Sequence, residues 1–125
     1  MYLLDTNILL EILLDQTNKE QCKQFIIANE GSLNISDFSL FSIAIVLFKA
    51  KAFNEYSNFL KTITETMNIR TLPFEEHSQI IETSKKIKLD FDDSYQHGIA
   101  KFFGLKIITM DKDFKKVKDL DVQFL

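Results

Sequence analysis

Residues 89–114 read Leu-Asp-Phe-Asp-Asp-Ser-Tyr-Gln-His-Gly-Ile-Ala-Lys-Phe-Phe-Gly-Leu-Lys-Ile-Ile-Thr-Met-Asp-Lys-Asp-Phe. Tyr95, Ile99, Phe102 and Phe103 recur at helical spacing between Asp92 and Phe103, and Gly104 is a helix stop. Lys106 to Met110 then has the character of a short strand, with Asp111 and Asp113 just beyond its carboxyl end. A helix running at once into a strand, with carboxylates opening the one and following the other, is a building unit of a parallel sheet.

The same grammar extends to both ends of the chain. Tyr2-Leu3-Leu4 is a short apolar run ended by Asp5-Thr6-Asn7, after which Ile8, Leu9, Ile12 and Leu13 predict a helix. A second helix is expected from Asn18 to Asn29, with Cys22, Phe25 and Ile26 on its apolar stripe and Gly31 as its stop. Leu33-Asn34-Ile35 is the next strand, closed by Ser36-Asp37, two good helix caps. The helix from Asp37 to Lys51 is apolar on nearly every face, so it is either central or covered by another subunit. A helix from Asn54 to Thr66, a strand from Ile69 to Leu72 ended by Pro73, a helix from Glu75 to Lys86 and a terminal strand from Val122 to Leu125 complete the pattern. Strands alternating with helices, and almost no hairpin turns, predict an α/β fold, a three-layer α/β/α sandwich around a mostly parallel central sheet.

At 125 residues the chain has the size of one domain, here 1–125, and 46% hydrophobic with 26% charged residues is ordinary globular composition. A lone Cys22 with His77 and His97 supplies neither a disulfide nor a sulfur-rich zinc site, so any metal must use oxygen ligands. The net charge of −3 argues against nucleic-acid binding by bulk electrostatics. The distribution is uneven, because residues 85–118 hold nine Lys against five Asp, a local +4 that leaves −7 for the rest. No basic leader precedes the N-terminal apolar run, and the apolar stretch Phe38 to Phe48 has only 11 residues against the ~20 that span a bilayer, so a cytoplasmic protein is expected.

In an open parallel sheet, ligands gather beyond the carboxyl ends of the strands. Asp5, Asp37 and the pair Asp111 and Asp113 each follow a predicted strand, and Asp92-Asp93 opens a helix that can reach the same edge. Carboxylates converging from four places repel one another unless a cation or protons neutralise them. Mg²⁺ or Mn²⁺ suits an all-oxygen set, and the implied chemistry is phosphodiester hydrolysis. Each aspartate taken singly is explained as well by helix capping, worth ~0.3–1 kcal/mol. Of the adjacent pair, whose directions on the helix differ by about 100°, only one is expected to face the cleft.

Three blocks carry more than capping requires: Asp5-Thr6-Asn7, Asp92-Asp93-Ser94-Tyr95-Gln96 and Thr109-Met110-Asp111-Lys112-Asp113-Phe114. In this order they resemble the PIN domain family, the nuclease fold that includes the VapC-like toxins of many toxin-antitoxin pairs. The resemblance spans essentially the whole chain. It implies that Asp5, Asp93 and Asp111 are catalytic and bind Mg²⁺ or Mn²⁺ with Asp113 in support, that Asn7 holds neighbouring groups through its amide, and that Asp92 is a neighbour. It also implies an RNA substrate, with Lys112, Lys115 and Lys116 placed for backbone contacts.

One position departs from the family pattern. A Glu is usual early in the helix after the second strand, and Ser42 stands there instead. Either Asp37, five residues earlier and next to Ser36, supplies the missing charge to the metal, or the site is weakened. The second alternative makes the chain an inactive PIN-fold interaction module. A phosphoryl-aspartate domain of the phosphatase or receiver type is disfavoured, because no second Asp stands two residues after Asp5. Twelve Phe in a small domain predict a homodimer or a bound antitoxin segment. Phe41 and Tyr95 are expected to be core more than base-stacking platforms, His97 to pack or lie exposed without acting as a base, and Cys22 to behave as a small apolar residue.

Overall fold

Strand β1 (Tyr2–Leu4) is short and apolar because both of its faces are covered: Leu3 and Leu4 are fully buried, on opposite sides of the sheet. The computed structural model describes residues 1–125. After β1 come α1 (Thr6–Leu13), α2 (Lys19–Ala28), β2 (Leu33–Ser36), α3 (Asp37–Lys49), α4 (Phe53–Thr66) and β3 (Met67–Arg70). A 3₁₀ turn at Phe74–Glu76 leads to α5 (Ser78–Ile87) and α6 (Phe91–Phe103), then β4 (Lys106–Thr109), a second 3₁₀ turn at Lys112–Lys116 and β5 (Val122–Phe124).

The five strands form one sheet in the order β3-β2-β1-β4-β5, and every pairing is parallel. The expected mostly parallel sheet is thus wholly parallel, and the layers are those of an α/β/α sandwich. One face packs Leu4, Leu33, Ile35 and Ile108 against α1 to α4, and the other packs Leu3 and Ile107 against α5 and α6. The chain runs outward from β1 through β2 to β3, then crosses to β4 on the other side of β1. That reversal between β1 and β4 opens a crevice at the strands' carboxyl ends, the place where ligands bind in such sheets.

Two predicted elements shift. The third strand is Met67–Arg70, two residues earlier than the apolar run suggested, because its register is set by pairing with β2 at the sheet edge, Leu33 opposite Met67 and Ser36 opposite Arg70. Leu72 instead turns into the core, where its N–H donates to the Tyr95 hydroxyl at 3.1 Å. The helix expected over Glu75 to Lys86 is broken into the first 3₁₀ turn and α5, starting only at Ser78. No helix is long and apolar enough to cross a membrane.

The all-round apolar helix resolves into a buried stripe and a bare one. Ile43 and Leu47 are fully buried, while Phe41, Ile45 and Phe48 are exposed, with Phe53 of α4 beside Phe48 in an edge-to-face pair. Cys22 is buried among apolar neighbours as expected.

Candidate active site

Three helix or turn starts meet at the crevice, and an aspartate caps each of them. Asp5 Oδ1 accepts from Thr6 N at 2.8 Å, Asp90 Oδ1 from Asp93 N at 3.3 Å, and Asp111 Oδ1 from Asp113 N at 2.9 Å. The local reason for these residues is therefore helix initiation, as capping chemistry predicts. One oxygen of each serves that purpose.

The parallel register places Asp5 beside β4. Leu4 lies opposite Ile108, Asp5 N donates to Ile108 O at 2.9 Å, and Thr109 Oγ1 donates to Asp5 Oδ2 at 2.7 Å. The same Thr109 hydroxyl accepts from Asp111 N at 2.9 Å, so one side chain ties the acid after β1 to the acid after β4. The sequence reading gave Thr109 no role of its own, because its place beside Asp5 comes from the pairing of β4 with β1.

Carboxylate oxygens of Asp93, Asp111 and Asp113 all lie within 4.8 Å of one another, and those of Asp90, Asp92 and Asp93 form a second such group sharing Asp93. Asp5 is in neither group and is linked to Asp111 through Thr109. Burial pushes its carboxyl up to about 6, opposed by the bonds from Thr109 and Thr6 and reinforced by the charges of Asp111 and Asp92. Asp93 is pushed further, to about 8, first by burial and then by Asp90, Asp111, Asp5 and Asp92. Asp92, exposed, is also raised, chiefly by desolvation and by its contact with Asp90. Asp93 is 6% exposed, so the member of the pair expected to face inward does so.

Beneath the acids runs a hydroxyl and amide network. Gln96 Nε2 donates to Ser39 Oγ at 2.7 Å and to Thr6 Oγ1 at 3.4 Å, Thr6 and Ser39 share a bond of 2.8 Å, and Ser36 Oγ donates to Ser39 Oγ at 3.1 Å while capping α3 through Ser39 N. These bonds lock α1, α3 and α6 together directly behind Asp5 and Asp93. Gln96 Oε1 is buried without a protein partner.

Asp37 is not brought into the acidic group. Its Oδ1 accepts from Phe38 N at 2.9 Å and from the Tyr95 hydroxyl at 2.8 Å, because α3 begins by turning this side chain toward α6's aromatic face. Ser42, half-buried, lies one turn beyond Ser39 on the same side of α3. Asn7 is exposed beside Glu11 and Met110 in a shallow cleft, and Lys112 and Lys115 are exposed on the turn that follows Asp111. Lys116 donates to Lys88 O at 3.2 Å. Tyr95 is core, whereas Phe41 is 62% exposed on α3, and His97 is buried with Nε2 at 2.9 Å from Asp119 Oδ1.

Buried Asp93, with the more accessible Asp111 and Asp113, offers hard oxygen donors that could hold a divalent cation. Residues 2–120 match the family model described as PIN domain. No curated protein is recognisably similar in sequence. Among solved structures, the chain is similar to one in a DNA-bound VapBC from Salmonella typhimurium, with TM-score 0.82, 18% identity and coverage of 98% of this chain and 96% of that one. A toxin-antitoxin complex from Klebsiella pneumoniae gives TM-score 0.75 at 23% identity, covering 91% and 90%. VapBC2 from Rickettsia felis, bound to a promoter DNA fragment, gives TM-score 0.78 at 16% identity, covering 98% and 97%. At these identities the structural likeness speaks for the fold.

Proposed function

Because the chain belongs to the PIN domain family, whose members are generally nucleases, we propose that it is a Mg²⁺- or Mn²⁺-dependent endoribonuclease and the toxin of a toxin-antitoxin pair. The observation that carries this reading is the convergence of Asp93, Asp111 and Asp113 within 4.8 Å beside the buried Asp5. Asp5, Asp93 and Asp111 would hold the cation, with Asp113 at the rim. A cation bound there supplies charge to polarise the scissile phosphate and lowers the pKa of a water for in-line attack.

The protein's own part is to hold the ligands rigid. Thr109 fixes the rotamer of Asp5, and the capping bond of Asp111 fixes its carboxylate against the second 3₁₀ turn. The Gln96, Ser39 and Thr6 network sets the spacing of α6 from α1, hence of Asp93 from Asp5. Asp113, the exposed member of the group, is the candidate for orienting water, since Asp37 is engaged by Tyr95. Lys112 and Lys115 would contact the RNA backbone from the rim.

The antitoxin expectation finds support in an apolar groove of about 390 Å³ between α1, α2 and α4, lined by Leu9, Leu13, Ile26, Ile27 and Phe59. The bare stripe of Phe41, Ile45 and Phe48 suits a homodimer. The second reading, an inactive interaction module, draws on Ser42 and on these same apolar surfaces.

The test is cleavage of single-stranded RNA with Mn²⁺, run beside thermal melts with and without the cation. Cleavage lost in Asp5→Asn and Asp93→Asn, with a cation-induced rise in melting temperature seen only in the wild type, supports the nuclease. Cleavage that persists in both variants refutes the assignment. A folded wild type that neither cleaves nor gains stability from Mn²⁺ establishes the inactive module.

A further inference from the structure

The largest cavity is not at the acidic crevice. It is a cleft of about 700 Å³ between α5, α6 and the segment after the second 3₁₀ turn, and its lining includes Lys86, Lys101, Lys116 and Lys118 with His97 and Asp119. We infer that this cleft seats the phosphodiester backbone of the RNA strand beyond the point of cleavage, an inference that rests on the nuclease reading above.

The charges on its walls are unequal. Asp119 spends both oxygens inside the cleft, Oδ1 with His97 Nε2 at 2.9 Å and Oδ2 with Lys101 Nζ at 3.2 Å. That leaves Glu82 as the one carboxylate on the lining without a partner, against Lys86, Lys116 and Lys118, none of which has a carboxylate within 4.0 Å. Three unpaired ammonium groups around one concavity, in a protein of net charge −3, attract a polyanion where the rest of the surface repels it.

The floor is built. His97 is 3% exposed, and its bond to Asp119 ties α6 to the segment entering β5, fixing the walls on which the lysines stand. The cleft is tied to the acidic centre through the chain. Lys116 lines it and donates to Lys88 O, two residues before the Asp90 cap that opens α6 at Asp93. A strand whose scissile phosphate lies at Asp93 and Asp111 can continue past Lys116 along α6, its phosphates meeting Lys118 and Lys86. Recognition of this kind positions the chain without reading bases.

The test is a charge reversal remote from the acids, Lys86→Glu with Lys118→Glu, and the milder pair Lys86→Gln with Lys118→Gln should the reversal unfold the protein. Binding of a fluorescent single-stranded RNA is measured in EDTA across salt concentrations, and Mn²⁺-dependent cleavage and melting are recorded for the same preparations. At about 0.7 per phosphate contact on a single strand, the slope of log affinity against log salt falls by about 1.4, a roughly sevenfold smaller loss between about 50 and 200 mM salt. Low-salt affinity drops alike for unrelated RNA sequences, and the cation-induced melting shift is unchanged. Wild type and variants that bind with one slope and one affinity, while the wild type cleaves, overturn the cleft and leave the nuclease standing. A wild type that neither binds nor cleaves RNA removes both. An acidic peptide that outcompetes the RNA on wild type, and loses its grip on the reversal, reassigns the cleft to a protein partner and overturns the inference.

Discussion

Removing the charge of Asp93 should stabilise the cation-free protein, and the gain should grow with pH. Its carboxyl lies at about 8 in the folded chain against an ordinary 3.8, and that of Asp5 at about 6, so between those limits the folded state binds protons that the unfolded state has lost. Stability therefore falls as pH rises through the window, the reverse of a salt-bridged carboxylate. Above the titration of Asp5 one proton of difference remains, worth about 1.4 kcal/mol per pH unit. From pH 6 to 8 the wild type should lose roughly 3 kcal/mol, a fall of about 10 °C in melting temperature for a domain of this size. Asp93→Asn keeps the shape and removes the titration, so its melting temperature in EDTA should be nearly level across the same interval and exceed the wild type's at pH 8. Mn²⁺ should reverse the order, raising the wild type most at pH 8, where the ligands give up their protons with least cost. Wild type and Asp93→Asn curves that decline in parallel would mean that Asp93 is not held neutral by its neighbours, and the account of the acidic crevice would fail with it.

Thr109→Val leaves the buried Asp5 Oδ2 without its donor, so it should cost about 1–3 kcal/mol in urea unfolding at pH 7.5 and weaken Mn²⁺ stabilisation. Tyr95→Phe removes the acceptor for the buried Leu72 N–H and the donor to Asp37, a loss of about 1–3 kcal/mol; a cleavage rate unchanged once the protein is folded would fit the place of Asp37 outside the acidic group. Ser42→Glu adds a carboxylate on the side of α3 that carries Ser39; titration of melting temperature with Mn²⁺ should reach its midpoint at lower cation concentration, and an unmoved midpoint would show that position 42 does not reach the ion.

Where a residue's neighbours are local, its role was legible in the sequence. Asp5 and Asp111 follow apolar runs that read as strands, and each caps the turn that follows it, as the capping reading expects; Asp111 also meets Asp93 and Asp113, while Asp5 is tied to it through Thr109. Helical geometry said that only one of Asp92 and Asp93 faces the cleft, and the resemblance to the PIN family picked out Asp93. What stayed hidden depends on register and on packing between distant elements. Thr109 matters because β4 aligns Ile108 with Leu4, a fact that no local pattern encodes. Asp37 looked equivalent to the other acids until Tyr95, 58 residues away in sequence, supplied the hydroxyl that engages it. Ser39 is an unremarkable helical serine unless Gln96 and Thr6 are known to meet it in the core. Parallel strands align residues far apart in the chain, so a site assembled at their ends shows its charges in the sequence and conceals the neutral groups that hold those charges in place. Gln96 shows the consequence: it is buried one turn after Asp93 on α6, and its bonds to Ser39 and Thr6 set how far from Asp5 that acid can stand.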